Sequence, residues 1–166
     1  MQKRKLLICI FIIVLVLLTA LLLKNYVFEV VITHGPSMEP TIIQGDHILI
    51  NRLAYRSNKP QRDDIIAFRV GWRIFLKRII GLPGDIIELK DNSLYCNGKL
   101  IKKCQHLHFS NLKKRSLKVW DRHLFVLGDN EEHSMDSRDF GTILYDDIIG
   151  KAIFIYLPFN RIKRLL

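Results

Sequence analysis

From Leu6 to Leu23 the chain runs 18 residues without a charge, and Thr19 is the only clearly polar side chain among them. As a helix this run is about 27 Å long, close to the hydrocarbon thickness of a bilayer. A helix buried in a soluble protein keeps a polar face, and this one has none. A cleaved leader would carry small residues at alternate positions before the cut. Here Ala20 stands alone, followed by Leu21, Leu22, Leu23 and Lys24. The run therefore reads as a permanent anchor. Lys3, Arg4 and Lys5 precede it, and Lys24 alone follows closely, so the positive-inside tendency leaves the N-terminus in the cytoplasm. The expected division is residues 1–24 as cytoplasmic N-terminus and membrane span, and 25–166 as an extracytoplasmic domain.

From Lys24 onward the chain is basic, with 23 Lys and Arg against 16 Asp and Glu. Such a balance suits nucleic acid or an anionic membrane surface. With an anchor in the chain, membrane lipid is the simpler partner, and no nucleic acid is expected.

Beyond Lys24 the sequence offers short β-branched and aromatic runs broken by Gly, Pro, Asn and Asp. Strands are expected at Val27–Thr33, His47–Asn51, Ile65–Val70, Trp72–Ile80, Ile86–Lys90, Leu94–Cys96, Lys99–Ile101, Leu124–Leu127 and Ala152–Leu157. Residues 52–64 and 102–122 read as polar connections. The turns lie too close together for parallel βαβ units, so the fold expected is mainly β and antiparallel behind one helix. Asn97-Gly98 is a two-residue hairpin signal that sets Cys96 opposite Lys99. Cys104 would then fall opposite Asp91, about 16 Å along the strand from Cys96, too far for a disulfide.

Four segments carry candidate chemistry: Gly35-Pro36-Ser37-Met38-Glu39-Pro40-Thr41, Gly45-Asp46-His47, Lys77 to Asp85, and Gly128-Asp129-Asn130 through Ser134, Asp136 and Arg138. A serine hydroxyl becomes a useful nucleophile when a neighbouring base takes its proton. Lysine serves as that base only when neutral, so its pKa of about 10.4 must fall, as it does on burial. Alternation along Trp72–Ile80 puts Phe75, Lys77 and Ile79 on one face. Lys77 thus has apolar neighbours on both sides. Alternation alone leaves open a lysine that snorkels to water from an edge strand.

Taken together, in this order and behind one N-terminal span, these segments resemble the sequence boxes of type I signal peptidases. Ser-Met-x-Pro-Thr, Lys-Arg-x-x-Gly-x-Pro-Gly-Asp and Gly-Asp-Asn-x-x-x-Ser-x-Asp-Ser-Arg all occur, from about Tyr26 to Ala152. The resemblance implies a membrane-bound serine endopeptidase that removes signal peptides from exported preproteins at the outer face of the cytoplasmic membrane. It implies a mainly β fold of antiparallel sheets and no cofactor. It makes Ser37 the nucleophile and Lys77 the general base, with Ser134 helping to orient the lysine amine. Asp136 and Arg138 match a supporting ion pair, Asp129 a structural turn, and Met38 a residue beside the substrate cleft. One position departs from the pattern: many members carry a hydroxyl residue two before the nucleophile to donate to the oxyanion, and here it is Gly35. The amide of Ser37 remains a donor, and a second is unassigned.

Other readings compete. His34 three residues before Ser37 suggests a Ser-His site, but no carboxylate is singled out to orient it. Cys104, His106 and His108 alternate as metal ligands would, without a second paired motif, so no metal is expected. Lys113-Lys114-Arg115 reads as a solvated loop. A peptidase dedicated to a narrow substrate set, a tethered module that binds without catalysis, and a self-cleaving repressor are the alternative functions. The repressor conflicts with the anchor.

Overall fold

The computed structural model describes residues 2–91, 93–103 and 116–165. The helix α1 spans Gln2–Val27, outlasting the apolar run by a turn because neither Gly nor Pro stops it there. Every described side chain from Lys3 to Leu21 is exposed, so this stretch of α1 buries nothing against the described residues of the rest of the chain. It is the one helix among the described residues long and apolar enough to cross a membrane.

Among the described residues twelve strands follow: β1 (Phe28–Ile32), β2 (His47–Asn51), β3 (Ile65–Val70), β4 (Arg73–Gly81), β5 (Ile86–Lys90) and β6 (Ser93–Cys96), then β7 (Lys99–Lys103), β8 (Ser116–Lys118), β9 (His123–Leu127), β10 (Ile143–Leu144), β11 (Ile148–Leu157) and β12 (Lys163–Arg164). The larger sheet has the order β1-β2-β11-β3-β4-β9-β10, with β12 added against β11; the smaller is β7-β6-β5-β8. All pairings among the described residues are antiparallel. The protein is thus mainly β, as the turn spacing predicts.

Three of the expected strands, β2, β3 and β5, keep their expected limits. Strand β11 begins four residues earlier than expected, at Ile148, and bends at register shifts that a hydrophobic count does not reveal. Ser116–Lys118 lies in the stretch read as a connection; pairing with Glu88, Ile87 and Ile86 makes it a strand. Asn97 and Gly98 take φ of 51° and 75° and close the β6–β7 hairpin, with Cys96 opposite Lys99 as expected. Cys104, His106, His108 and the 113–115 basic run lie outside the described residues.

Three apolar clusters hold the sheets. One joins Met38 and Ile42 to Ile48, Ile50, Ile65 and Ile155, so the Ser37 loop is fastened to the larger sheet just after its serine. A second unites Ile66, Phe68, Ile79, Leu124 and Val126. A third seats the smaller sheet through Ile87, Leu94 and Cys96 against Ile80, Phe125 and Leu127. Each fully buried Ile or Phe contributes about 1.5–3 kcal/mol. Arg62 adds a polar tie at this junction, donating to Asp85 Oδ2 at 2.8 Å, to Cys96 Sγ at 3.3 Å and to the Ile80 carbonyl.

Candidate active site

Strand β4 positions the candidate base. Its inward face carries Phe75, Lys77 and Ile79, and Lys77 is only 2 % exposed. The amine Nζ donates to Ser37 Oγ at 2.7 Å and stands 5.6 Å from the Phe75 ring centroid. Burial pushes the Lys77 amine down to about 8; Asp136 opposes the fall, Arg138 adds to it and Asp129 opposes it. No carboxylate lies within ion-pair distance of Lys77 among the described residues.

The serine arrives on the loop between β1 and β2. Met38, 3 % exposed, anchors the loop in the core while its neighbour Ser37 faces the cleft. The Ser37 carbonyl accepts from Asn130 N at 3.1 Å, which ties this loop to the Gly-Asp-Asn turn. Gly128 lets them meet: a Cβ there would collide with Ser134 Oγ and the Ser37 carbonyl oxygen. Only glycine permits that approach.

The Gly128–Arg138 segment is organised around Asp136, which is fully buried. Its Oδ2 accepts from Ser134 Oγ at 2.7 Å and from Gly128 N at 3.0 Å. Arg138 donates to it three times, Nε to Oδ1 at 2.8 Å, Nη2 to Oδ2 at 2.9 Å and its backbone N–H to Oδ1 at 3.2 Å. Asp136 also caps the short helix α2 (Ser137–Phe140), completing a capping box with Asp139. The Ser134 hydroxyl proton thus goes to Asp136 and its lone pairs stay available to accept, while among the described residues it makes no hydrogen bond to Lys77. Asp129 receives the fork of Arg78, at 2.8 and 2.7 Å. Burial works against ionisation of Asp129, but Arg78 and Thr41 outweigh it and its pKa falls.

Ser37 and Lys77 sit in a cleft of about 290 Å³. Val31 to Gly35 form one wall and Ile74 to Leu76 the other, with Met38 and Ile42 beneath. Among the described residues both walls have open strand edges. Strand β1 ends its sheet, and β9 pairs with β4 only from Arg78 to Gly81. Gly35 has φ of +87°, a backbone region costly for any side chain, which accounts for glycine at this position. The Ser37 amide has no acceptor among the described residues.

Of the sequence-derived candidates, Ser37, Lys77, Gly35 and Met38 meet in the cleft, while Asp129, Ser134, Asp136 and Arg138 form the layer behind it. His34 lies exposed on the rim; the Ser37 hydroxyl is bonded to Lys77 instead. Sequence reasoning missed Ile74, Leu76, His133 and Met135 as lining residues. Strict alternation turns Ile74 and Leu76 away from the Lys77 face, yet the open edge of β4 brings both sides of the strand to the cleft.

A buried amine beside a serine hydroxyl on a mainly antiparallel scaffold defines a class, that of the serine hydrolases, and comparison with known proteins narrows it. The family described as "Signal peptidase, peptidase S26" matches residues 5–157, and the chain belongs to it. Signal peptidase I P of Bacillus subtilis subsp. natto is 34% identical over 166 residues, covering 92% of this chain and 89% of that relative. Signal peptidase I S of Bacillus subtilis (strain 168) is likewise 34% identical, over 167 residues, with the same coverage of each chain. A crystal structure of a signal peptidase I from Enterococcus faecalis V583 shares 34% identity, covering 57% of this chain and 97% of that one with a TM-score of 0.46. The protein is accordingly a hydrolase, a serine peptidase of the signal-peptide-removing family.

Proposed function

We propose that this protein is a membrane-anchored endopeptidase that cuts signal peptides from exported preproteins with Ser37 as nucleophile and Lys77 as general base. The observation that carries the reading is the 2.7 Å contact between Ser37 Oγ and an amine that is 2 % exposed and depressed to about 8. In its neutral form Lys77 accepts the Ser37 proton as Oγ attacks the scissile carbonyl carbon. The free Ser37 amide faces the developing oxyanion. The Lys77 ammonium then protonates the leaving amine, the peptide C–N bond breaks, and an acyl-enzyme remains on Ser37. Water, deprotonated by Lys77, attacks that ester and restores the serine. Ser134, Asp136 and Arg138 keep the floor of the site rigid, and Asp129 with Arg78 holds the Gly-Asp-Asn turn.

The substrate lies extended between the open edges of β1 and β4, where main-chain hydrogen bonds give affinity and shallow apolar pockets read alternate side chains. The helix α1 spans the cytoplasmic membrane, since a helix apolar on every side, whose Lys3–Leu21 stretch is covered by none of the described residues, needs lipid around it. The three cations ahead of it stay in the cytoplasm and the β domain works on the outer face. Incubating the full-length protein in detergent with a preprotein, followed by N-terminal sequencing of the product, tests this. One new N-terminus after small residues at the first and third positions is expected. An intact preprotein, or scattered cuts, refutes the reading.

A further inference from the structure

A second cavity, of about 500 Å³, opens where the anchor enters the β domain, and the proposed chemistry makes no use of it. Its wall brings together Tyr26 from the end of α1, Arg52 and Arg56 from the segment after β2, and Arg69 from β3. The Arg56 guanidinium stacks 4.7 Å from the Tyr26 ring centroid. Three carboxylates also face this space, and two are engaged: Glu29 lies 3.6 Å from Arg52, and Asp146 lies 2.6 Å from Arg122. Asp147 is the third. Neither Arg56 nor Arg69 has a carboxylate within ion-pair distance among the described residues. Two guanidinium groups thus converge, against one free carboxylate, on a polar space beside the end of the anchor. Guanidinium forks match the oxygens of a phosphodiester.

An independent feature adjoins it. Arg69 is three residues, about 10 Å, from the tip of the β3–β4 hairpin. At that tip Trp72 is 84% exposed, with the Arg73 guanidinium 4.7 Å from its ring centroid. Ile74, paired with Arg69 across the hairpin, is exposed as well. Trp beside Arg is the pairing favoured at a membrane–water interface, where the ring meets the headgroups and the cation meets phosphate.

We propose that the cavity between Arg56 and Arg69 binds the phosphodiester headgroup of an anionic membrane lipid, with Trp72 seated in the adjoining bilayer interface. The inference rests on reading α1 as a membrane span, which brings the cavity level with the headgroups. A single helix leaves the domain free to swivel. A second contact at the hairpin, on the same strand as Lys77, fixes the direction in which the cleft opens.

The test uses full-length protein carrying Trp120→Phe, which leaves Trp72 as the only tryptophan. It is reconstituted into mixed phosphatidylcholine and phosphatidylglycerol vesicles in which one lipid or the other has brominated chains. Brominated phosphatidylglycerol is expected to quench Trp72 more strongly than brominated phosphatidylcholine at equal mole fraction. Arg56→Gln with Arg69→Gln should weaken that preference about tenfold. Lys90→Gln with Lys118→Gln, an equal charge loss on the smaller sheet, should leave it unchanged. Absence of quenching, equal quenching by both lipids, or equal loss in the two double variants would overturn the proposal. Loss of the preference on adding glycerol phosphate would assign the cavity to a soluble phosphate and overturn the lipid assignment. Preprotein cleavage in detergent, measured on the same preparations, keeps the proteolytic reading separate: Arg56→Gln/Arg69→Gln should cleave there as the parent does.

Discussion

Lys77 and Arg78 are neighbours on one strand, yet they end in opposite electrostatic regions of the molecule. Lys77 points inward among Phe75, Ile79 and Met38, where burial depresses its amine and its hydrogen-bond partner is a neutral hydroxyl. Arg78 points outward into the fork of Asp129, which raises its pKa against the opposing effect of burial. The pleat of the strand makes the division. A cation given a carboxylate becomes part of the scaffold; a cation denied one is held ready to lose its proton.

The comparison breaks most completely if the two roles can be exchanged. Lys77→Arg should abolish cleavage, by about 10⁴-fold or more, because a guanidinium stays protonated at any working pH. Ser37→Ala should fall as far, while His34→Ala should keep its activity. Steady-state cleavage of a preprotein measures all three, and an active Lys77→Arg enzyme would end the proposed mechanism.

On the other side of the strand the effect should appear in stability first. Asp129→Asn leaves the partly buried Arg78 fork without its counter-charge and should destabilise the domain by about 3 kcal/mol. Thermal unfolding of the full-length protein in detergent reads this. Cleavage should decline less steeply than for Lys77→Arg, since Asp129 holds the turn and touches no reacting atom.

Titration sharpens the contrast further. With Lys77 near 8, about a tenth of the enzyme has a neutral base at pH 7, so kcat/KM should rise about tenfold as pH climbs well past 8. His34→Ala and His133→Ala should leave that limb in place. Stability follows the same group. Its folded pKa lies below the unfolded value of 10.5, so between about 8 and 10.5 the unfolded chain binds more protons and stability grows with pH. Below that window the folded protein carries the full cost of a buried ammonium, about 3 kcal/mol. Lys77→Met should therefore raise the Tm at pH 7 while abolishing cleavage, and should remove the gain between pH 8 and 10.5. A Tm unchanged by the substitution at both pH values would show that the amine carries no such cost.

What the sequence made legible follows the same division. The inward placing of Lys77 needs only the period of one strand, and a bare run of apolar residues suffices for α1. The partner of Arg78 does not follow from any local pattern, since Asp129 is 51 residues away and reaches it through the register of β4 with β9. Strand β8 was hidden for the same reason: three residues rich in Ser and Lys become a strand only because β5 offers them an edge. Ser134, which the resemblance sets beside the lysine, donates its hydroxyl to Asp136 two residues on, a bond that no local pattern announces.

The smallest effect belongs to Gly35, and it separates backbone from side chain. The missing hydroxyl at this position suggests that Gly35→Ser would supply an oxyanion donor and raise turnover. The φ of +87° argues the other way, because a Cβ costs about 1–2 kcal/mol in that region even with open space around it. Gly35→Ala carries the same strain without the hydroxyl, so the ratio of the two variants isolates the donor. Both should turn over a few-fold more slowly than the parent. If serine and alanine are equally slow, the hole is complete with the groups already present. If serine exceeds alanine by about tenfold or more, the Ser37 amide has been acting without a second donor and the parent enzyme is slower for it.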